Sequence, residues 1–208
     1  MSLLIHKPAH AILTARVLRA ASNLNGSCWG LMGIGEDNAL LMRRHHVLDV
    51  DALVALAQAL KGAEYVLHLG QNARDGARSN VYPFEVSDGL YLMHSGTLPL
   101  KTRVLTKSST WHLVHDLLRP VAIGWRGIFT QPLAPIFQSL LEAGFAPDNK
   151  VALLDYPQRR IIVINHRHGA LVDGLWLSDS RCIDRTVLPR DALAPQAHSP
   201  RLSDIRFI

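Results

Sequence analysis

The sequence predicts an α+β fold in which antiparallel β-hairpins and short helices form one layered domain. An Asp-Gly pair, Asp88-Gly89, separates two apolar runs, and this pattern is a strong signal for a β-hairpin. A second hairpin of apolar strands is predicted between Lys150 and Asn165. Apolar residues at helical spacing occupy separate segments between these hairpins, so the helices and strands should pack as layers.

In the first half of the chain, apolar runs bounded by turn residues alternate with two segments of helical spacing. Helices are predicted at 14–23 and 49–60. They begin at Thr14 and Asp49, whose side chains can accept hydrogen bonds from the free N–H groups of a first helical turn. The strands of this half are predicted at 2–6, 29–35, 39–44 and 65–69.

The second half begins with a Tyr-Pro-Phe corner and the 88–89 hairpin, for which a primed turn with positive φ at both central residues is predicted. A buried strand at 90–93 then leads into a tight turn at 94–96. One helix is expected at 109–119, ended by Pro120 because proline lacks an N–H group. The remaining predicted elements are a helix at 136–143 and strands at 150–155, 160–165 and 172–178.

Composition excludes several classes of protein. The 208 residues carry a formal charge of +5 and a pI near 9.6, but the arginines are scattered, so nucleic-acid binding is not expected. Cys28 and Cys182 lie far apart, which predicts neither a disulfide framework nor a zinc site. Without a signal peptide or a long apolar run, we expect a cytoplasmic protein with no membrane partner. The domain is expected to span 1–187, followed by a tail or strap at 188–208.

Three short motifs in the middle of the chain resemble a known family. Pro83-Phe84, Asp88-Gly89-Leu90 and the run 94–98 (HSGTL) are similar to the HPF, DGL and HNGTL motifs of class II glutamine amidotransferases, which are N-terminal-nucleophile (Ntn) hydrolases. The start MSLLIHKPA and the segment 151–178 also look like compact phage and bacterial members. The resemblance implies a four-layer αββα sandwich of two antiparallel sheets between helices.

The resemblance also implies a mechanism. Removal of the initiator Met would make residue 2 the N-terminus, whose side chain attacks an amide while its α-amine moves the proton. A two-residue turn holds the oxyanion. On this basis the candidate catalytic residues are Ser2, Ser95 and Gly96.

The chain departs from the family at four positions that this chemistry uses. Ser2 stands where the family has Cys, and Ser95 stands where it has Asn. The Arg expected two residues after His68 is absent, and no Asp lies in the segment 108–110 that corresponds to the ammonium-binding position. These losses argue against ordinary glutamine hydrolysis.

Polar residues around the motifs are candidates for ligand binding. Each has a plainer alternative: a packed histidine, a solvated loop charge or an ordinary turn residue. No cofactor and no metal is expected, because His112 and His115 lack a third ligand at a useful spacing. The candidate substrate-binding residues are His68, Gln71, Asn72, Arg74, Arg78, His94 and Ser109.

Three functions stay open from the sequence. The first is a degenerate amidotransferase-like domain that binds a small amide or amino-acid-like ligand, or a protein partner. The second is an active Ntn amidohydrolase that uses Ser2 on an amide other than glutamine. The third is a structural or assembly protein, or a homo-oligomer, that uses the basic loop 70–80 and the tail as contact surfaces.

Overall fold

The structure, a computed structural model, describes residues 2–70, 80–100, 102–124, 134–184 and 186. It confirms an α+β fold with two antiparallel sheets. Four candidate ligand-binding residues and the predicted tail lie outside the described residues: Gln71, Asn72, Arg74, Arg78 and 188–208. No helix in the described ranges is both long and apolar enough to cross a membrane.

The two sheets have six and four strands. The order is β3-β2-β4-β1-β10-β9 in the larger sheet and β5-β6-β7-β8 in the smaller one. The strands are β1 (Ser2–Lys7), β2 (Cys28–Ile34), β3 (Leu40–His45), β4 (Glu64–Gly70), β5 (Phe84–Ser87), β6 (Leu90–Ser95), β7 (Lys150–Asp155), β8 (Arg160–Ile164), β9 (Ala170–Val172) and β10 (Leu175–Leu177).

Alternating residues of β1 divide the core into two parts, because successive side chains of a strand point to opposite faces. Leu4 belongs to the apolar cluster that joins the two sheets. Leu3 and Ile5 belong to a second cluster, which joins the six-stranded sheet to the first two helices. The described core is thus consistent with the expected sandwich, and it places even-numbered residues of β1, including Ser2, toward the four-stranded sheet.

The first two helices are capped as predicted. Helix α1 (Ala15–Ser22) follows Thr14, whose hydroxyl accepts from the N–H of Val17 at 3.3 Å. Helix α2 (Val50–Ala59) follows Asp49, whose carboxylate accepts from two N–H groups of the first turn at 3.0 and 3.1 Å. Local side-chain capping therefore sets where both helices begin.

The prediction that Pro120 ends a helix is wrong. Helix α3 (Ser109–His112) continues through a π-helical turn (Leu113–Leu118) into α4 (Arg119–Gly124). The wider π turn changes the hydrogen-bond register ahead of Pro120, so the chain stays helical without an N–H group there. Helix α5 (Ala134–Gly144) is the fifth described α-helix.

Two turns also differ from expectation. The predicted strand at 172–178 is a hairpin, in which β9 and β10 are joined by Asp173 (φ +50°) and Gly174 (φ +78°). Both central residues have the positive φ of a primed turn. At the other Asp-Gly pair only Gly89 has positive φ, at +74°, and the pairing of β5 with β6 shifts register, so the predicted primed turn is wrong there.

The long edge of the six-stranded sheet is β3, which among the described strands pairs with β2 alone. Its second half, Arg43, Arg44 and His45, is exposed. The opposite edge, β9, has three residues, and the edges of the smaller sheet, β5 and β8, have four and five.

Gly30 lets the chain before β5 approach the six-stranded sheet. A Cβ atom at Gly30 would lie 2.1 Å from the carbonyl oxygen of Tyr82. Because two backbones meet at this point, a side chain could be accommodated only by moving one of them. Gly144, at the end of α5, would place no Cβ atom within 4 Å of another group.

We expect Gly30→Ala to lower the free energy of unfolding by at least about 2 kcal/mol, because overpacking here displaces backbone. Gly144→Ala is the control, and it should leave stability unchanged or raise it by up to about 1 kcal/mol. Urea unfolding followed by circular dichroism measures both. Equal stabilities for the two variants would contradict the close approach of Tyr82.

Candidate functional site

A cavity of about 960 Å³ is lined by every predicted site residue that the structure describes. It lies where several strand ends converge. In β-sheet register, Ser2 pairs with Gly70, and Ser95 pairs with Lys150. The predicted residues in its wall are Ser2, His68, His94, Ser95, Gly96 and Ser109.

Three serines in the wall form a hydrogen-bonded group, called here the serine cluster: Ser2, Ser95 and Ser178. The Ser95 hydroxyl accepts from the hydroxyls of Ser2 at 3.2 Å and Ser178 at 3.3 Å. It donates to the carbonyl oxygen of Ser2 at 2.9 Å. The Ser178 hydroxyl accepts from the N–H of Leu4 at 3.0 Å. Ser2 therefore donates to another hydroxyl rather than to a histidine or a carboxylate that would act as a base.

Gly96 follows the serine cluster directly and needs to be glycine. Its φ is +132°, and a Cβ atom would lie 2.6 Å from Oδ1 of Asn149 and 2.7 Å from the carbonyl oxygen of Asp148. His94 and Ser95 belong to β6, so the predicted tight turn at 94–96 is wrong in part. The strand continues because both residues pair with β7.

His94 is held by partners on both ring nitrogens. Nδ1 lies 2.9 Å from the Thr110 hydroxyl, and Nε2 lies 3.0 Å from Oδ1 of Asn149. The Tyr82 hydroxyl donates to the same Thr110 oxygen at 2.7 Å. Because an amide oxygen only accepts, Nε2 carries the hydrogen and Thr110 donates to Nδ1. Burial lowers the pKa of His94 to about 4, so the ring is neutral at pH 7 and fully hydrogen-bonded.

His68 has the opposite character. The residue is 4% exposed, and neither ring nitrogen has a hydrogen-bond partner among the described residues. Its ring packs edge-on against that of Tyr82 with centroids 4.5 Å apart. Burial, with a smaller contribution from His94, lowers the pKa of His68 to about 3. A neutral imidazole with an unused donor and acceptor therefore lies in the cavity wall.

The cavity wall also carries charged side chains that the sequence did not indicate. The Arg181 guanidinium binds the Asp179 carboxylate at 2.7 and 3.0 Å and approaches Asp148 at 3.8 Å. Hydrogen bonds and charge from Arg181 hold the pKa of Asp179 below its usual value, despite burial. Lys150, at the start of β7, is 4% exposed, so both signs of charge occur on one side of the cavity.

Sequence reasoning missed several of these groups because tertiary contacts create them. Ser109 was singled out, but its neighbour Thr110 makes the described hydrogen bonds, and Ser108 caps α3 by accepting from the N–H of Trp111 at 3.1 Å. Cross-strand register alone relates Lys150 to Ser95. The missed residues of the wall include Cys28, Tyr82, Thr110, Asp148, Asn149, Lys150, Ser178, Asp179, Arg181 and Cys182.

The structure gives no metal centre in the ranges it describes, since no three His, Cys, Asp or Glu residues there are grouped to hold an ion. The His112 and His115 pair is engaged elsewhere. His112 Nδ1 contacts the Asp116 carboxylate at 2.7 Å, and the His115 ring stacks on Trp111 at 4.0 Å between centroids.

Acid should destabilise the protein through the two cavity histidines. An unfolded histidine, with a pKa near 6.5, takes up a proton as the pH falls, whereas His68 and His94 stay neutral down to about pH 3 and 4. Their contribution to stability is thus present above pH 6.5 and is lost below it. Each should remove about 1.4 kcal/mol between pH 7.5 and pH 5.5.

We expect His68→Phe to reduce that loss by about 1.4 kcal/mol, because phenylalanine keeps the ring contact with Tyr82 but cannot be protonated. Urea unfolding at the two pH values measures it. His45→Phe, at the exposed edge strand, is the matched control. The same reduction in the control, or none in His68→Phe, would show that the buried imidazole does not cause the acid sensitivity.

Comparisons with known protein families and curated proteins identify no family for this chain. No protein-family model matches the chain. No curated protein matches it in sequence. The resemblance to class II glutamine amidotransferases therefore stays a prediction from the motifs.

Proposed function

We propose that the cavity binds a small amide or amino-acid-like ligand and that the protein is not an ordinary glutaminase. The observation that carries this proposal is His68. A buried imidazole without a partner costs about 1–3 kcal/mol in unmade hydrogen bonds. A ligand group that can donate or accept, such as a carboxamide, would pair with one of the two ring nitrogens and recover part of that cost.

The volume and charge of the site support the same class of ligand. About 960 Å³ lies in the range of cavities that hold small molecules. The wall presents the cations Lys150 and Arg181 and the carboxylates Asp148 and Asp179. Charges of both signs suit a zwitterion better than a purely apolar or a purely anionic molecule.

The hydrogen bonds of the site favour binding over hydrolysis. Ser2 donates to Ser95, and Ser95 in turn donates to the carbonyl oxygen of Ser2. The hydroxyl in the predicted oxyanion position is thus already engaged. His94 has a partner on each nitrogen, so it cannot take a proton from Ser2 without breaking its own network. The assembly function depends on segments outside the described residues and gains no support from the cavity.

Isothermal titration calorimetry with the standard amino acids and their side-chain amides tests the binding proposal. We expect at least one of them to bind, and His68→Phe to weaken that binding about tenfold because one hydrogen bond is lost. His45→Phe should bind as the unchanged protein does. Failure of the whole panel to bind, or equal affinity in His68→Phe, would overturn the proposal.

A second candidate, an Ntn amidohydrolase, is favoured by one observation: the Ser2 hydroxyl lies in the cavity wall beside two other hydroxyls. This chemistry needs a free amine on Ser2. We expect no ammonia from glutamine at an enzyme-like rate. A screen of other amides decides the second candidate. Hydrolysis would replace binding as the function if product is released, if that release is lost in Ser2→Ala, and if the intact mass shows that Met1 has been removed.

A further inference from the structure

Lys150 is a buried cation that faces the cavity and has no partner among the residues that the structure describes. The residue is 4% exposed and lines the cavity. It is the cross-strand partner of Ser95, and cross-strand partners project to the same face of a sheet. Its side chain therefore lies on the face that carries the Ser95 hydroxyl and the serine cluster.

Lys7 shows how the same fold treats a buried lysine that has only a structural role. Lys7 is 0% exposed. Its ammonium donates to the carbonyl oxygens of Ala9, Lys61 and Ala63, so every N–H group has an acceptor. Within the described ranges, Lys150 has neither a hydrogen bond nor an ion pair to its ammonium. Burial lowers the pKa of both lysines, but only Lys7 is compensated by partners.

The carboxylates near Lys150 are already engaged. Asp179 is bound twice by Arg181, at 2.7 and 3.0 Å. The Asp148 side chain is 84% exposed, and its contact with Arg181 is 3.8 Å. These carboxylates attract Lys150 at longer range and oppose the effect of burial on its pKa. They supply no direct contact among the described residues, so the cavity offers a positive charge on a mostly buried side chain.

We propose that the Lys150 ammonium anchors an anionic group of the ligand, a carboxylate or a phosphate, beside the hydroxyl of Ser95. This proposal rests on the proposed function, since it names the chemistry of a ligand in the same cavity. A cation shielded from water attracts an anion more strongly than an exposed one does. Because the Ser95 hydroxyl donates to the carbonyl oxygen of Ser2, the ammonium is the group that donates to the anion.

A matched pair of probes isolates the charge. Glutaramic acid carries one carboxylate and one carboxamide, whereas glutaramide has the same length with two carboxamides and no charge. Inorganic phosphate is the third probe, and it separates a phosphate site from a carboxylate site. The variants are Lys150→Met, which keeps length without charge, Lys150→Arg, which keeps the charge, and Lys107→Met as a control outside the cavity wall.

By calorimetry we expect glutaramic acid or phosphate to bind the unchanged protein at least about tenfold more tightly than glutaramide. Whichever of these two anions binds more tightly identifies the anionic group. Lys150→Met should abolish this preference and leave glutaramide affinity within about twofold. Lys150→Arg should retain the preference in part, and Lys107→Met should retain it in full. Lys150→Arg and the probe comparison on the unchanged protein keep the test valid if Lys150→Met does not fold.

The outcomes separate this inference from the function on which it rests. Binding of glutaramide with no preference for either anion would overturn the role of Lys150 and leave the ligand-binding function standing. A preference that survives in Lys150→Met would also overturn it. Failure of all three probes and of the amino-acid panel to bind would overturn the proposed function itself.

Discussion

The hydroxyl of Ser95 joins the two sheets, and the geometry of the cavity depends on it. Ser2 lies in β1 of the six-stranded sheet and Ser178 directly follows β10 of the same sheet, whereas Ser95 ends β6 in the four-stranded sheet. With its donation to the carbonyl oxygen of Ser2, this one hydroxyl makes three hydrogen bonds. Buried polar groups at a junction between apolar layers need such complete pairing. The pairing sets how closely these strand ends approach and so shapes the adjoining cavity.

The polar groups of the cavity divide into two kinds. His94, Thr110 and Tyr82 form a closed chain of hydrogen bonds, and closed networks in a low-dielectric interior are rigid. His68 and Lys150 have polar atoms with no partner in the described part of the chain. The hydrogen-bonded network keeps the wall in place. The unpaired groups of His68 and Lys150 leave the wall able to bind a donor, an acceptor and an anion. A stable fold tolerates such a cost mainly where function requires it.

Local signals in the sequence predicted much of the fold. Thr14 and Asp49 marked the helix starts because capping depends on a few adjacent residues. The prediction at Pro120 was wrong because the π-helical turn before it shifts the hydrogen-bond register, and the local residue pattern carries no signal for that turn. The site was predicted only in part, because local signals do not show which strands pair. The resemblance located Ser2 and Ser95, whereas the cross-strand pairing with Ser95 places Lys150 at the cavity.

The edges of the sheets bear on how this protein behaves at high concentration. An exposed strand edge can pair with an edge of another molecule and start aggregation. Here the long edge, β3, ends in the exposed residues Arg43 and Arg44, and pairing two such edges in parallel would place like charges next to one another. The remaining edges have three to five residues. The charged half of β3 and the shortness of the other described edges therefore disfavour growth by strand addition at these edges.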